Sequence, residues 1–246
     1  MKAAPEAQKR LLDLAELDTV IHRLTHRRRT LPELAEHEET SARLARLATQ
    51  VIAAETEAGD LAREQAKAES DVESVRARAD RDQKRLDSGQ VSSPKDLANL
   101  QSEIASLKRR QDDLEEVVLE IMERREAADA QVTKLAAERD SLAAAVAAIA
   151  ERRDAALAEI DKELAEVRGK RAGVAADIPA DLLGLYEKLR EQYDVGAAML
   201  QHGRCQGCKV SLSIADLNAI RAAAPDEVVR CEECRRILVR TPESGL

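Results

Sequence analysis

The sequence predicts a mostly α-helical fold: a long, bent, antiparallel coiled-coil hairpin followed by a small C-terminal module. Three observations predict it. Apolar residues recur in two extended heptad stripes, a cluster of turn formers separates the stripes, and the only four cysteines stand as two C-x-x-C pairs near the end of the chain. The composition suits a protein that buries stripes rather than one large core. Of 246 residues, 1% are aromatic and 35% charged, with no Phe or Trp and only Tyr186 and Tyr193.

The first helix is expected over about residues 6–30, with Leu14, Leu17, Ile21 and Leu24 on one face. Pro32 lacks a backbone N–H and breaks it from the second. From Leu44 a stripe then runs through Leu47, Val51, Ala54, Ala58 and Leu61 to Leu86, and a second runs from Leu97 through Leu100, Ile104, Leu107 and Leu114 to Ile149. Residues 87–96 between them hold Gly89, free to take positive φ, and Pro94, suited to a first helical turn. The chain reverses there. Residue i then faces roughly residue 180 minus i, residues 33–86 pair with about 95–148, and the arm is roughly 80 Å long. An intermolecular parallel dimer would need residues 87–96 to be helical, which Gly89 and Pro94 make costly. Opposite Pro32 the returning stripe takes two successive steps of four, Ile149 to Arg153 to Leu157, a stutter that locally unwinds a supercoil. A bent rod follows, with the first helix lying against residues 149–174.

The helical hairpin is assigned to residues 1–177 and the remaining module to 178–246. Pro179 opens a connecting helix that carries Leu182, Leu185, Leu189 and the two tyrosines and leads into the module; the tyrosines share a face and pack one part against the other. In Cys205-Gln206-Gly207-Cys208 the two intervening residues let a tight knuckle aim both sulfurs at one ion, and Gly207 tolerates an unusual backbone angle. Cys231-Glu232-Glu233-Cys234 is the second knuckle, separated from the first by 22 residues and flanked by short strands at Val228, Val229, Ile237 and Val239. A capped helix over residues 213–222 accounts for the length of the gap. Two such pairs predict a zinc ribbon with one structural Zn²⁺ on Cys205, Cys208, Cys231 and Cys234, and four thiolates leave the metal no open position for a substrate. The alternatives, a redox C-x-x-C or two disulfides, lack a thioredoxin-like βαβ pattern and a disulfide-permissive compartment.

A Zn²⁺ with four thiolates carries a net charge of about −2. Arg204, Lys209, Arg230, Arg235 and Arg236 surround it in sequence, either to balance that charge or to contact an acidic protein or nucleic acid. Lys95 and Lys108-Arg109-Arg110 form a second basic group near the hairpin turn, read as a partner patch or as an ordinary solvated flank. His22 and His26 with Arg23, Arg27, Arg28 and Arg29 read as a solvated helix face, and His202 as ordinary surface.

Cys205-Gln206-Gly207-Cys208, Val229-Arg230-Cys231 through Cys234, Arg236-Ile237-Leu238 and the turn sequence Pro94-Lys95-Asp96-Leu97 with Leu100, Glu103, Ile104 and Leu107 together resemble the bacterial C4-type zinc-ribbon proteins with a long N-terminal coiled-coil hairpin. The resemblance covers nearly the whole chain. It implies the four cysteines as ligands and an adaptor role, with some members associated with transcription machinery, including an alternative sigma factor, and with RNA. The family's second knuckle typically reads C-P-x-C-G, whereas this chain has Arg235 in the glycine position.

A net charge of −8 argues against nonspecific binding to nucleic acid or an anionic membrane by the chain as a whole. The N-terminus lacks the apolar core of a signal peptide and no apolar stretch is long enough to span a membrane, so a cytoplasmic protein is expected. No Ser/His/Asp set, phosphate loop or H-E-x-x-H motif supports an enzyme. The reading is a noncatalytic adaptor with a protein partner, and without a small-molecule substrate. The alternative is a regulator that binds RNA or DNA through the ribbon.

Overall fold

Prolines set the helix starts. In the computed structural model, which describes residues 1–246, α1 (Pro5–Arg29), α2 (Pro32–Asp87) and α3 (Pro94–Ala176) each open on one, and Pro179 is the N-cap of α4 (Ala180–Tyr193). The missing N–H costs nothing in a first turn and the fixed φ favours it. Helix α1 stops where the Thr30 N–H donates to the His26 carbonyl, two residues before Pro32. Between α2 and α3, Gly89 takes φ 67°, a left-handed angle that lets the chain turn. No helix is long and apolar enough to cross a membrane.

Packing divides the chain into two units: Met1–Leu34 with Glu151–Leu246, and Ala35–Ala150. The first contains the ribbon. Its strands β1 (Ala197–Gln201), β2 (Arg204–Cys205), β3 (Val229–Arg230) and β4 (Ile237–Val239) form one sheet in the order β2-β1-β4-β3. Strand β1 runs antiparallel to β2 and parallel to β4, with Ala198 opposite Leu238, and β3 runs antiparallel to β4. Helix α5 (Ile214–Ala222) starts at a capping box in which Ser213 accepts from the Asp216 N–H and Asp216 accepts from the Ser213 N–H.

The connecting helix leads into the ribbon through a strand not expected from the sequence. It ends at Tyr193, Asp194 turns the chain with φ 66°, and β1 follows. Strand β1 forms because its alternate residues have two apolar surfaces to meet. Ala197 joins Leu11, Leu14, Leu182, Tyr186, Ile237 and Val239 in a core shared with α1 and α4, while Ala198 and Leu200 join Ile220 and Leu238 around the cysteines. The N-terminus also belongs to this unit: the Val228 N–H donates to the Met1 carbonyl, and the Ala3 N–H donates to the Asp226 carbonyl at 2.7 Å.

Helix α1 lies against the C-terminal part of α3, as the register shift predicts. Leu24 and Leu31 pack on Ile160 and Leu164, and Arg28 pairs with Asp161 at 2.7 Å. Deeper in, the Asp18 carboxylate is buried and accepts from Arg171 Nε at 2.6 Å and from the Tyr186 hydroxyl at 2.6 Å. Arg171 also donates to Glu187 at 2.6 Å, and Arg190 donates to the same carboxylate at 2.7 Å. This cluster ties α1, α3 and α4 together and answers the cost of burying a carboxylate. Tyr186 is thus a packing residue with a satisfied hydroxyl, and burial, followed by its hydrogen bond to the Asp18 carboxylate, holds its ionisation well above the ordinary tyrosine range.

The unit of residues 35–150 is the antiparallel pair of α2 and α3. Val51, Ala54, Ala58 and Leu61 are buried on one helix and Leu100, Ile104, Leu114 and Ile121 on the other, all positions of the heptad stripes. The register departs from the simple reflection about residue 90. Arg78 pairs with Glu103, next to the expected 102, but Arg125 donates to Gln65 at 3.1 Å where residue 115 was expected. Glu64 likewise meets Arg124, and the short side chains of Val72 and Val118 line one groove, so midway along the arm it is the register of the two helices that is displaced from that reflection, not the reach of a few long side chains.

Candidate metal centre

Each knuckle is a backbone device before it is a metal site. At the first, the Cys205 N–H donates to the Val210 carbonyl at 3.0 Å and the Lys209 N–H donates back to the Cys205 carbonyl at 2.8 Å. At the second, the Cys231 N–H donates to the Arg236 carbonyl at 3.0 Å and the Arg235 N–H donates to the Cys231 carbonyl at 2.8 Å. The residue after each second cysteine is left-handed, Lys209 at φ 64° and Arg235 at φ 62°. Arg235 therefore holds a left-handed backbone, the conformation that glycine adopts most readily. Gly207 works differently from expectation. Its φ is not positive; instead a Cβ there would stand 3.0 Å from the Ala198 Cβ and 3.0 Å from the Arg236 Cδ, so any larger residue would crowd both neighbours.

The two knuckles bring all four Sγ atoms within 4.8 Å of one another. Cys205 and Cys234 are 3.8 Å apart at sulfur and Cys208 and Cys231 are 3.9 Å apart, with no disulfide among them. A tetrahedron of thiolates with Zn–S bonds of about 2.3 Å has edges of about 3.8 Å, so the donor set fits one Zn²⁺. Cys205 and Cys231 are buried against Ala198, Leu200, Ile220 and Leu238, whereas Cys208 and Cys234 are half-buried. Burial pushes the Cys205 thiol up to about 12 and raises that of Cys231. Burial acts the same way on Cys234, but backbone and side-chain hydrogen bonds, with Arg236 first among them, hold it below the ordinary thiol range. A bound Zn²⁺ displaces these protons and serves as the structural core of a module whose strands are two to five residues long.

The cations named from the sequence have different surroundings. Arg204 and Lys209 are exposed, Lys209 donating to Gln206 at 2.8 Å. Arg230 donates to the Arg235 carbonyl at 2.8 Å, and Arg235 pairs with Glu232 at 3.2 Å. Arg236 faces inward: it donates to the Val195 and Tyr193 carbonyls at 2.9 and 2.8 Å and lies 5.3 Å from the Tyr193 ring centroid. Lys95, Lys108, Arg109 and Arg110 are all exposed on α3. Sequence reasoning missed Arg240, whose guanidinium donates to the carbonyls of Ile220, Ala223, Ala224, Pro225 and Glu227 and so closes the C-terminal end of α5. A lone arginine after a strand carries no signal of that role.

Residues 14–194 match the family model described as the CT398-like coiled coil hairpin domain, and residues 204–238 match the C4-type zinc ribbon domain. The chain belongs to the CT398-like coiled-coil hairpin family. A relative in Mycobacterium tuberculosis, the uncharacterized protein Rv2229c, is 40% identical over 240 residues, which is 98% of each chain. Among solved structures, a Mycobacterium smegmatis protein superposes with a TM-score of 0.87 at 36% identity, covering 98% of this chain and 100% of its own. CT398 from Chlamydia trachomatis shares the fold, with a TM-score of 0.73 at 20% identity over 96% of this chain and 98% of its own. The CT398-like family is thus defined by a helical hairpin and a ribbon rather than by an enzymatic reaction, and the four clustered cysteines of this member are those of its C4 zinc ribbon.

Proposed function

We propose that this chain is a noncatalytic, zinc-structured adaptor of the cytoplasm whose ribbon recognises a protein partner. The transcription machinery is the partner class that the family resemblance implies. One observation carries the reading: beside the exposed cations Arg204 and Lys209, the ribbon exposes Val210 and, at 79% of its surface, Ile214. Apolar side chains flanked by cations suit an acidic, partly apolar protein segment. The metal's part is to hold the knuckle that presents them, since a closed four-thiolate site has no position for substrate.

The rival, RNA or DNA binding through the ribbon, has less support. Tyr186 is buried and Tyr193 is covered by Arg236, leaving the ribbon no aromatic platform for bases, and Arg236 is spent on backbone carbonyls. Two experiments test the reading. Crosslinking pull-down from the native cell should recover a protein partner with the wild-type chain and lose it with Ile214→Ser and Lys209→Glu; recovery unchanged by both would sink the proposal. In a titration with RNA and DNA at low salt, tight binding that weakens when Arg230 and Arg235 are replaced would favour the rival instead.

A further inference from the structure

The heptad stripes account for the residues that α2 and α3 bury between them, but three apolar residues on α3 fall outside both stripes. Val117, Leu119 and Met122 are 43%, 60% and 45% exposed. Of these Leu119 lies, within the unit of residues 35–150, in a groove of about 340 Å³ whose floor it shares with Val72 and Val118, two partly buried residues of the stripes. Its rim consists of Glu69, Glu73 and Glu115.

These carboxylates are unlike the paired ones on the same two helices. Glu64 is met by Arg124, Glu103 by Arg78 and Asp129 by Arg125. At the groove, Glu69 and Glu115 each accept only from a neutral amide one turn earlier, Gln65 and Gln111, both at 2.7 Å, and Glu73 has no ion-pair partner. The amides orient the carboxylates without neutralising them. Apolar side chains are thereby left in solvent inside a rim of uncompensated negative charge, and the occupant that removes both costs is apolar on one face and cationic at its edges.

We propose that this groove is a docking site for a cationic amphipathic helix of a partner protein, which seats apolar residues on Val72, Val118 and Leu119 and places Lys or Arg against Glu69, Glu73 and Glu115. Such a helix brings apolar side chains at i, i+3 and i+4 into one groove, the mode by which amphipathic helices are commonly recognised. The site is independent of the ribbon and involves none of its residues, so its failure leaves the adaptor reading of the ribbon unchanged.

The test uses the zinc-loaded full chain and a fluorescein-labelled 18-residue peptide made of Leu and Lys at helical period, with Glu replacing Lys in the control peptide. The Lys peptide should raise the anisotropy saturably, and the Glu peptide should not. Glu73→Lys with Glu115→Lys should weaken binding by about tenfold, and Leu119→Ser by several-fold, since two charge contacts and one apolar anchor are lost. Glu55→Lys with Glu57→Lys makes the same change in net charge elsewhere on α2 and should leave affinity within about twofold. Equal losses in both double variants would reduce the effect to net charge and overturn the proposal, as would equal binding of the two peptides or no binding at low salt. Light scattering of the chain alone supplies the remaining outcome. A concentration-dependent dimer that Leu119→Ser abolishes would make a second copy the occupant and would also overturn it.

Discussion

The unit of residues 35–150 and the unit built from the two chain ends bury their side chains in different ways. In the first, each buried residue of the stripe sees neighbours on one facing helix, and the polar contacts lie at the surface. In the second, Leu11, Leu14, Tyr186, Leu200 and Ile237 are wholly buried among helices and strands, and a carboxylate, Asp18, is buried with them. The difference teaches what each can lose. A two-stranded stripe gives up stability one rung at a time, whereas a core that contains a paired charge and a metal-held module depends on single groups.

Removing the metal should separate the two most. Chelation of the zinc-loaded protein should abolish amide protection in β1 and β4 and loosen α1 and α4, which share their core, while protection around Val51 to Leu61 persists. Binding free energies of about 10–16 kcal/mol for structural zinc in small fingers set the scale. Equal loss across both units in hydrogen exchange would break the comparison. Next comes Asp18→Ala, which leaves Arg171 with Glu187 alone and takes the acceptor from the buried Tyr186 hydroxyl, and should cost about 3 kcal/mol in urea unfolding. Ile121→Ala on the arm should cost less, about 2 kcal/mol, because a two-stranded stripe relaxes around a cavity more readily than a close-packed core.

The ionic cluster also makes the unit of chain ends sensitive to pH at both extremes. Burial pushes the Glu187 carboxyl up, but Arg171 and Arg190 more than reverse this and hold it below its ordinary value. Its contribution is therefore present above about pH 4.3, the unfolded value, and is lost as pH falls through the folded one. The ionisation of Tyr186 is raised by burial and by Asp18, so its contribution is present below about pH 10 and is lost as pH climbs toward the folded value. Tyrosine absorbance and hydrogen exchange followed from pH 3 to 11 should show this unit opening first at each end, with Tyr186→Phe removing the tyrosine term in the alkaline loss. The smallest effect is expected at the knuckles. Lys209→Gly and Arg235→Gly each relieve a left-handed backbone, and with the added freedom of the unfolded chain the net gain should be about 0.5 kcal/mol in thermal melts of the zinc-loaded protein.

The helices, their ends and the four cysteines were legible because their signals are local and repeated: a period of heptads, prolines at starts, Gly89 in the turn, cysteines in pairs. What escaped was set by partners far along the chain. Ala197 to Gln201 carries helix-forming residues and is a strand only because Ile237 to Val239 lies parallel to it. Asp18 reads as one more surface acid until Arg171 and Tyr186 reach it. The backbone role at the first knuckle was given to Gly207 because glycine is the usual left-handed residue; Lys209 holds that angle, fixed by its hydrogen bond to the Cys205 carbonyl.

The core that gathers Leu11 and Leu14 with Ile237 and Val239 has a consequence for synthesis on the ribosome. Helix α1 is made before every element that covers it: the face around Leu24 waits for the C-terminal part of α3, and the face around Leu11 and Leu14 waits first for α4 and then for Ile237 and Val239. The arm of α2 and α3 can zip as soon as α3 is out, since its pairings are fewer residues apart, while the leading helix waits. Until α3 and α4 are out, then, a nascent chain exposes the apolar face of α1, and a chain truncated before β4 would leave the core around Leu11 and Leu14 incomplete. Quality-control factors that bind exposed apolar helices would meet this protein at α1 and release it once β4 completes the core.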